Sequence, residues 1–124
     1  MSESKAPLVY LEDILEAINK IERYVQGMSK EEFLLNDLVI DAVIRNFEVI
    51  GEAAKKLPAA LKEKYSSIPW KDIAGMRDVL IHDYSGVKVE VVWNTIEKDL
   101  PELKKQIQEI LTKLKMDSEP GQSF

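Results

Sequence analysis

The side chains that could do chemistry stand together at Arg77-Asp78-Val79-Leu80-Ile81-His82-Asp83-Tyr84. His82 is the single histidine among 124 residues. It follows Arg77 by five positions and precedes Tyr84 by two. An imidazole can take or give a proton near neutral pH. A guanidinium keeps its charge and grips a phosphate through two parallel N–H bonds. A phenol adds one more hydrogen bond. The set suits phosphoryl chemistry. The chain has no cysteine, so it offers no thiolate nucleophile, no disulfide framework and no Cys-based zinc site.

Each residue also has a structural reading. On a helical wheel at about 100° per residue, Trp70, Ile73, Ala74, Leu80 and Ile81 share an apolar face. Arg77 falls in the middle of that face, where an unpaired charge is costly. Three readings stay open for it. It pairs with a carboxylate such as Glu52 or Asp41, it lines a cleft between subunits, or it snorkels to water. His82 near a helix C-terminus is also a favourable cation beside the helix dipole. Tyr84 reads equally as a packing residue with a wet hydroxyl.

Geometry adds a constraint. In a regular helix Arg77 and His82 point about 140° apart. Either the helix unwinds before His82, or residues of two chains meet. If the motif cleaves a phosphodiester without metal, it wants a general base and a general acid. One histidine per chain does not easily fill both roles, whereas a twofold dimer brings two histidines and two arginines to one cleft.

The elements that must position these residues read as helices throughout. Pro7 opens the first, and Leu8, Leu11, Leu15, Ile18, Ile21 and Val25 recur at helical spacing until Gly27. Ser29 and Glu32 form a capping-box pattern, and Asn36 caps the next helix. That helix runs to about Leu57, where Pro58 stops it. Asp41, Arg45, Glu48, Glu52, Lys55 and Lys56 form its polar stripe. Ile40, Val43, Ile44, Phe47, Ile50, Ala53 and Ala54 make an apolar arc wide enough to pack on two sides.

Residues 58–64 predict a short helical turn, and Ser66-Ser67-Ile68-Pro69-Trp70 leads into the helix that bears the motif. Ser85-Gly86 breaks the chain. From Val89 the positions Val89, Trp93, Ile96, Leu100, Leu103, Ile107, Ile110 and Leu114 keep an a/d seam. An antiparallel bundle against the first helix accounts for it, and so would an intermolecular coiled coil. Asp99-Leu100-Pro101 predicts a restart or a kink. No strand alternation occurs. The expected fold is all-α: an up-down bundle of four long helices plus short ones. Residues 1–116 form one domain, and 117–124 a disordered tail.

Apolar residues make up 45% and charged residues 31%, as in ordinary globular proteins. No apolar stretch is long enough for a membrane span, and Met1-Ser2-Glu3-Ser4-Lys5 lacks a secretory pattern. A cytoplasmic protein is expected. The net charge of −5 gives no global attraction to nucleic acid, so an RNA substrate needs a local basic patch. Asp78 and Asp83 flank the motif with further negative charge.

Arg-x4-His-x-Tyr resembles the motif of HEPN-domain proteins, and the chain is similar to the HepT toxins of HEPN/MNT toxin–antitoxin pairs. The resemblance covers roughly residues 8–115. It includes Ile50-Gly51-Glu52-Ala53-Ala54, the run from Ile68 to Asp78, Val92-Trp93 and Asp99-Leu100-Pro101. It implies a HEPN-like homodimer with the motif lining a cleft between protomers. It implies a metal-independent endoribonuclease, without cofactor, that leaves a 2′,3′-cyclic phosphate. Arg77 and His82 would be catalytic, Tyr84 would support catalysis, and Asp78 could orient a motif side chain. The implied partner is a minimal nucleotidyltransferase antitoxin that silences the toxin by transferring AMP to Tyr84. Neither DNA nor membrane is expected. The competing expectation is a catalytically inactive helical module that docks a nucleotidyltransferase or binds nucleotide.

Overall fold

Pro7 stands in the first turn of α1 (Ala6–Val25), where its missing N–H is no loss. The structure, a computed structural model, describes residues 6–75 and 89–117. Leu11, Ile14, Ala17, Ile18 and Ile21 form the buried stripe of α1, flanked by half-buried Leu8, Leu15 and Val25. Gly27 ends the run at φ +78°, a left-handed conformation that an L side chain resists. The capping box then forms as the pattern requires. Ser29 Oγ accepts the Glu32 N–H at 3.1 Å, and Glu32 Oε1 accepts the Ser29 N–H at 2.9 Å. This starts α2 (Lys30–Leu34), which buries Phe33.

Asn36 Oδ1 accepts the Val39 N–H at 3.0 Å and opens α3 (Asp37–Lys56). The seven predicted apolar residues of α3 are all buried. They pack along α1 and against α2. Asn46 is a polar intruder in that arc, only 8% exposed. Its Nδ2 donates to the Ala42 carbonyl at 2.9 Å, so its own helix satisfies it. Leu57 leaves the helix at ψ 144°, the extended conformation that a following proline demands. Pro58 then leads into α4 (Ala59–Lys64). After the connector, residues 70–75 are helical (α5).

The chain is next described at α6 (Val89–Asn94), a π turn (Thr95–Asp99) and α7 (Leu100–Asp117), which follow without a break. Pro101 supplies the physical reason for the π turn. It has no N–H for the Glu97 carbonyl, and in an α-helix its ring would crowd that oxygen. The wider turn bypasses the conflict: the Leu100 N–H donates to the Thr95 carbonyl, five residues back. One extra residue rotates α6 by roughly 100° relative to α7. Val92, outside the expected seam, is accordingly 3% exposed and buried beside Trp93. Trp93 meets Phe33 of α2 with ring centroids 5.1 Å apart.

The rest of the seam is intramolecular. Leu100, Ile107 and Ile110 are fully buried, each adding about 1.5–3 kcal/mol of apolar burial. α7 packs on α1. Glu22 pairs with Lys104 at 2.8 Å, and Glu12 with Lys115 at 3.4 Å. Descending α1 therefore ascends α7, so the two helices are antiparallel. Asp117, placed in the tail on sequence grounds, belongs to α7.

The described residues contain helices and no strand, so the fold is all-α. Three long helical stretches are described: α1, α3 and the run from α6 to α7. The fourth expected one is described only at 70–75. Among the described residues no helix is long and apolar enough to cross a membrane.

Candidate functional site

Arg77, Asp78, His82 and Tyr84 lie outside the described residues, as do Leu80, Ile81 and the Ser85-Gly86 break. The choice between an ion pair, a cleft and a snorkel for Arg77 lies there too. What the structure describes is how the chain is held on either side of the motif.

Before the motif, α5 is anchored by its first turn. The Trp70 indole N–H donates to the Tyr65 carbonyl at 3.1 Å, and its ring is 8% exposed. Ile73 is buried one turn later, and its N–H reaches the Pro69 carbonyl at 3.0 Å. Both apolar positions follow the predicted face. After the motif, α6 is held by Val92 and Trp93 in the core and by a Lys30–Glu90 ion pair at 3.4 Å. A helix base and a helix start, both packed on the bundle, thus bracket residues 76–88.

A groove of about 490 Å³ runs beside the base of α5. Phe47 and Ile50 of α3 line it together with Ile73 and Leu100. Asp72, the π-turn residues Thr95, Lys98 and Asp99, and Glu102 of α7 also border it. Three carboxylates against one ammonium make this a poor seat for a polyanion. Among the described residues no group of three or more His, Cys, Asp or Glu side chains could hold a metal ion. The groove offers packing surface, negative charge and the hydroxyls of Ser67 and Thr95.

Sequence reasoning missed this groove. Its one sequence signal was Asp99-Leu100-Pro101, which predicted a break in regular winding. The residues that line the groove come from three separate stretches, 47–50, 67–73 and 95–106, and nothing in their local spacing joins them.

The family model described as Ribonuclease HepT-like matches residues 14–110, from α1 to α7 and across the whole Arg-x4-His-x-Tyr motif. The chain belongs to the HepT-like ribonuclease family. Its HepT-like relatives include "Putative RNase TTE0752" of Caldanaerobacter subterraneus subsp. tengcongensis, 49% identical over 90% of this chain and 99% of that protein. "Putative RNase MJ1216" of Methanocaldococcus jannaschii is 47% identical over 82% of this chain and 84% of its own length. "Probable ribonuclease HepT" of Thermococcus cleftensis is 46% identical over 82% of this chain and 92% of its own. No solved structure matches the chain.

Proposed function

We propose that this HepT-like protein is the toxin of a toxin–antitoxin pair and acts as a metal-independent endoribonuclease. The observation that carries the reading is a family match running through a complete Arg-x4-His-x-Tyr motif. His82 takes the proton of a ribose 2′-OH or returns one to the leaving 5′-oxygen. Arg77 holds the phosphate by its fork and stabilises the charge that grows on it. Tyr84 hydrogen-bonds a phosphate oxygen, and Asp78 orients a neighbouring motif side chain. Attack by the 2′-oxygen on phosphorus expels the 5′-oxygen and leaves a 2′,3′-cyclic phosphate.

The working form is a homodimer in which two protomers share one cleft. Stoichiometry supports this: a base and an acid are both needed, and each chain has one histidine. A minimal nucleotidyltransferase silences the site by adding AMP to Tyr84. The added phosphate and base place negative charge and bulk in the cleft.

Co-expressed mixed dimers test the composite site. Parent and His82→Ala protomers combined in varying ratio should lose cleavage as the square of the parent fraction. A linear fall would contradict a shared cleft. Absence of cleavage by unmodified parent on any RNA, with retained binding of the nucleotidyltransferase, would favour the inactive docking module instead.

A further inference from the structure

The net charge of −5 poses a problem for a protein that grips RNA, and one corner of the fold runs against that balance. Residues 55–64 hold four lysines and one glutamate. Pro58 folds this stretch on itself, so that α4 turns back onto the end of α3. The Lys62 Nζ donates to the Ala54 carbonyl at 3.3 Å, which seats an α4 lysine beside Lys55 and Lys56. Lys55, Lys56 and Lys64 are exposed, and Lys62 is half-buried.

Cations are favoured at helix C-termini, and two helices end here. That accounts for lysines in the last turns, but not for what surrounds them. Elsewhere Lys30, Arg45, Lys104 and Lys115 each pair with a glutamate. Among the described residues none of Lys55, Lys56, Lys62 or Lys64 pairs with a carboxylate. Two of them instead lie over half-buried aromatic rings. Lys56 Nζ is 5.8 Å from the centre of Tyr10, and Lys64 Nζ is 5.7 Å from that of Tyr65. Asp13, Glu48 and Glu52 border the Tyr10 ring, so that face is a poor seat for a nucleotide. Beside Tyr65, unpaired cations flank a partly open aromatic face, which is what a single-stranded nucleic acid requires: charge for the phosphates and a flat face for a base. Tyr65 also accepts the Trp70 indole bond, so the corner is tied to the base of the helix that leads toward the motif.

We infer that the α3–α4 corner is a contact surface for single-stranded RNA, with Lys55, Lys56, Lys62 and Lys64 holding backbone phosphates and Tyr65 receiving a base. The inference rests on the ribonuclease reading and adds to it a second grip, outside the Arg77–Tyr84 motif. The acidic groove at the π turn is the surface that the strand avoids.

The test is direct binding of a fluorescent 2′-O-methyl oligoribonucleotide of about twenty nucleotides to the full chain, across 50–200 mM salt. The blocked 2′-oxygen prevents cleavage, so binding is read apart from catalysis. Lys55→Ala/Lys56→Ala/Lys64→Ala should weaken binding about tenfold or more. It should also flatten the log Kd against log salt slope by about 0.7 for each lost phosphate contact, roughly 2 in all. Tyr65→Leu, which keeps the backbone carbonyl under Trp70, should weaken the oligonucleotide but not heparin, which has no bases. Unchanged affinity and slope in the lysine variant would overturn the proposal. So would equal losses for heparin and RNA in Tyr65→Leu. If the parent cleaves no RNA yet binds the oligonucleotide through these lysines, the ribonuclease reading fails and the contact surface stands.

Discussion

Two prolines shape two corners of this molecule, and the corners carry opposite charge. At Pro58 the residue before the ring is extended, α3 stops, and α4 folds back. At Pro101 the helix continues, because a π turn moves the Glu97 carbonyl out of conflict. Within residues 55–64 the first corner gathers Lys55, Lys56, Lys62 and Lys64 against a single Glu63, with Asp13, Glu48 and Glu52 on the α1 side of Lys56. The second borders a groove with Asp72, Asp99 and Glu102 against Lys98. Net charge is therefore a poor guide to what a small protein can hold. A chain at −5 can present one face to a polyanion provided its carboxylates sit elsewhere. A proline, likewise, is read by its context: one missing N–H ends a helix where the preceding residue can extend, and widens it where packing on both sides is retained.

Both corners lean on the α1–α3–α7 core, so the largest effect should come from breaking what they share. Ile18→Ala is expected to cost about 2–5 kcal/mol in urea unfolding, through lost burial and the cavity left in a full core. A cost below about 1 kcal/mol would mean that the corners are held independently. Trp70→Phe sharpens the comparison on the basic side. It keeps a ring in the core but removes one of two donors to the Tyr65 carbonyl, which keeps the Ile68 N–H at 3.0 Å, for an expected loss of about 0.5–1.5 kcal/mol. An unchanged midpoint would show that the indole N–H does not tie that corner down.

The smallest effects should separate the prolines themselves. Pro58→Ala frees the unfolded chain and should cost about 0.4–1 kcal/mol. Pro101→Ala carries the same loss, but its new N–H can bond the Glu97 carbonyl, for about 0.5–1.5 kcal/mol in return. The net change should lie near zero. A Pro101→Ala loss as large as that of Pro58→Ala would contradict the account of the π turn.

Much of the scaffold was legible in the sequence because short-range chemistry decides it. Ser29 with Glu32, Asn36, Gly27 and Pro58 each act within a few residues, and each does what its pattern predicts. The seam from Leu100 to Ile110 was legible because a helix repeats its burial every three or four residues. The π turn was only half legible. Asp99-Leu100-Pro101 announces a conflict, but whether the chain restarts, kinks or widens depends on α6 and its packing against Phe33. Asn46 was not legible, since its partner is a carbonyl of its own helix and its wheel position reads as apolar. The acidic groove depends on three distant stretches, and so does any account of what Asp72 and Asp99 face. The motif stands apart from both cases. Its residue types speak for themselves, while its local structure lies outside the described residues.

The most direct measurement is single-turnover cleavage of a mixed RNA pool by unmodified protein in excess chelator, comparing the parent with His82→Ala. The parent should cut and leave 2′,3′-cyclic phosphate ends. His82→Ala should be slower by about 10²–10⁴, as expected for loss of a general acid–base, with an unchanged melting temperature. Cleavage by His82→Ala at the parent rate would contradict the assignment of the motif as the catalytic site.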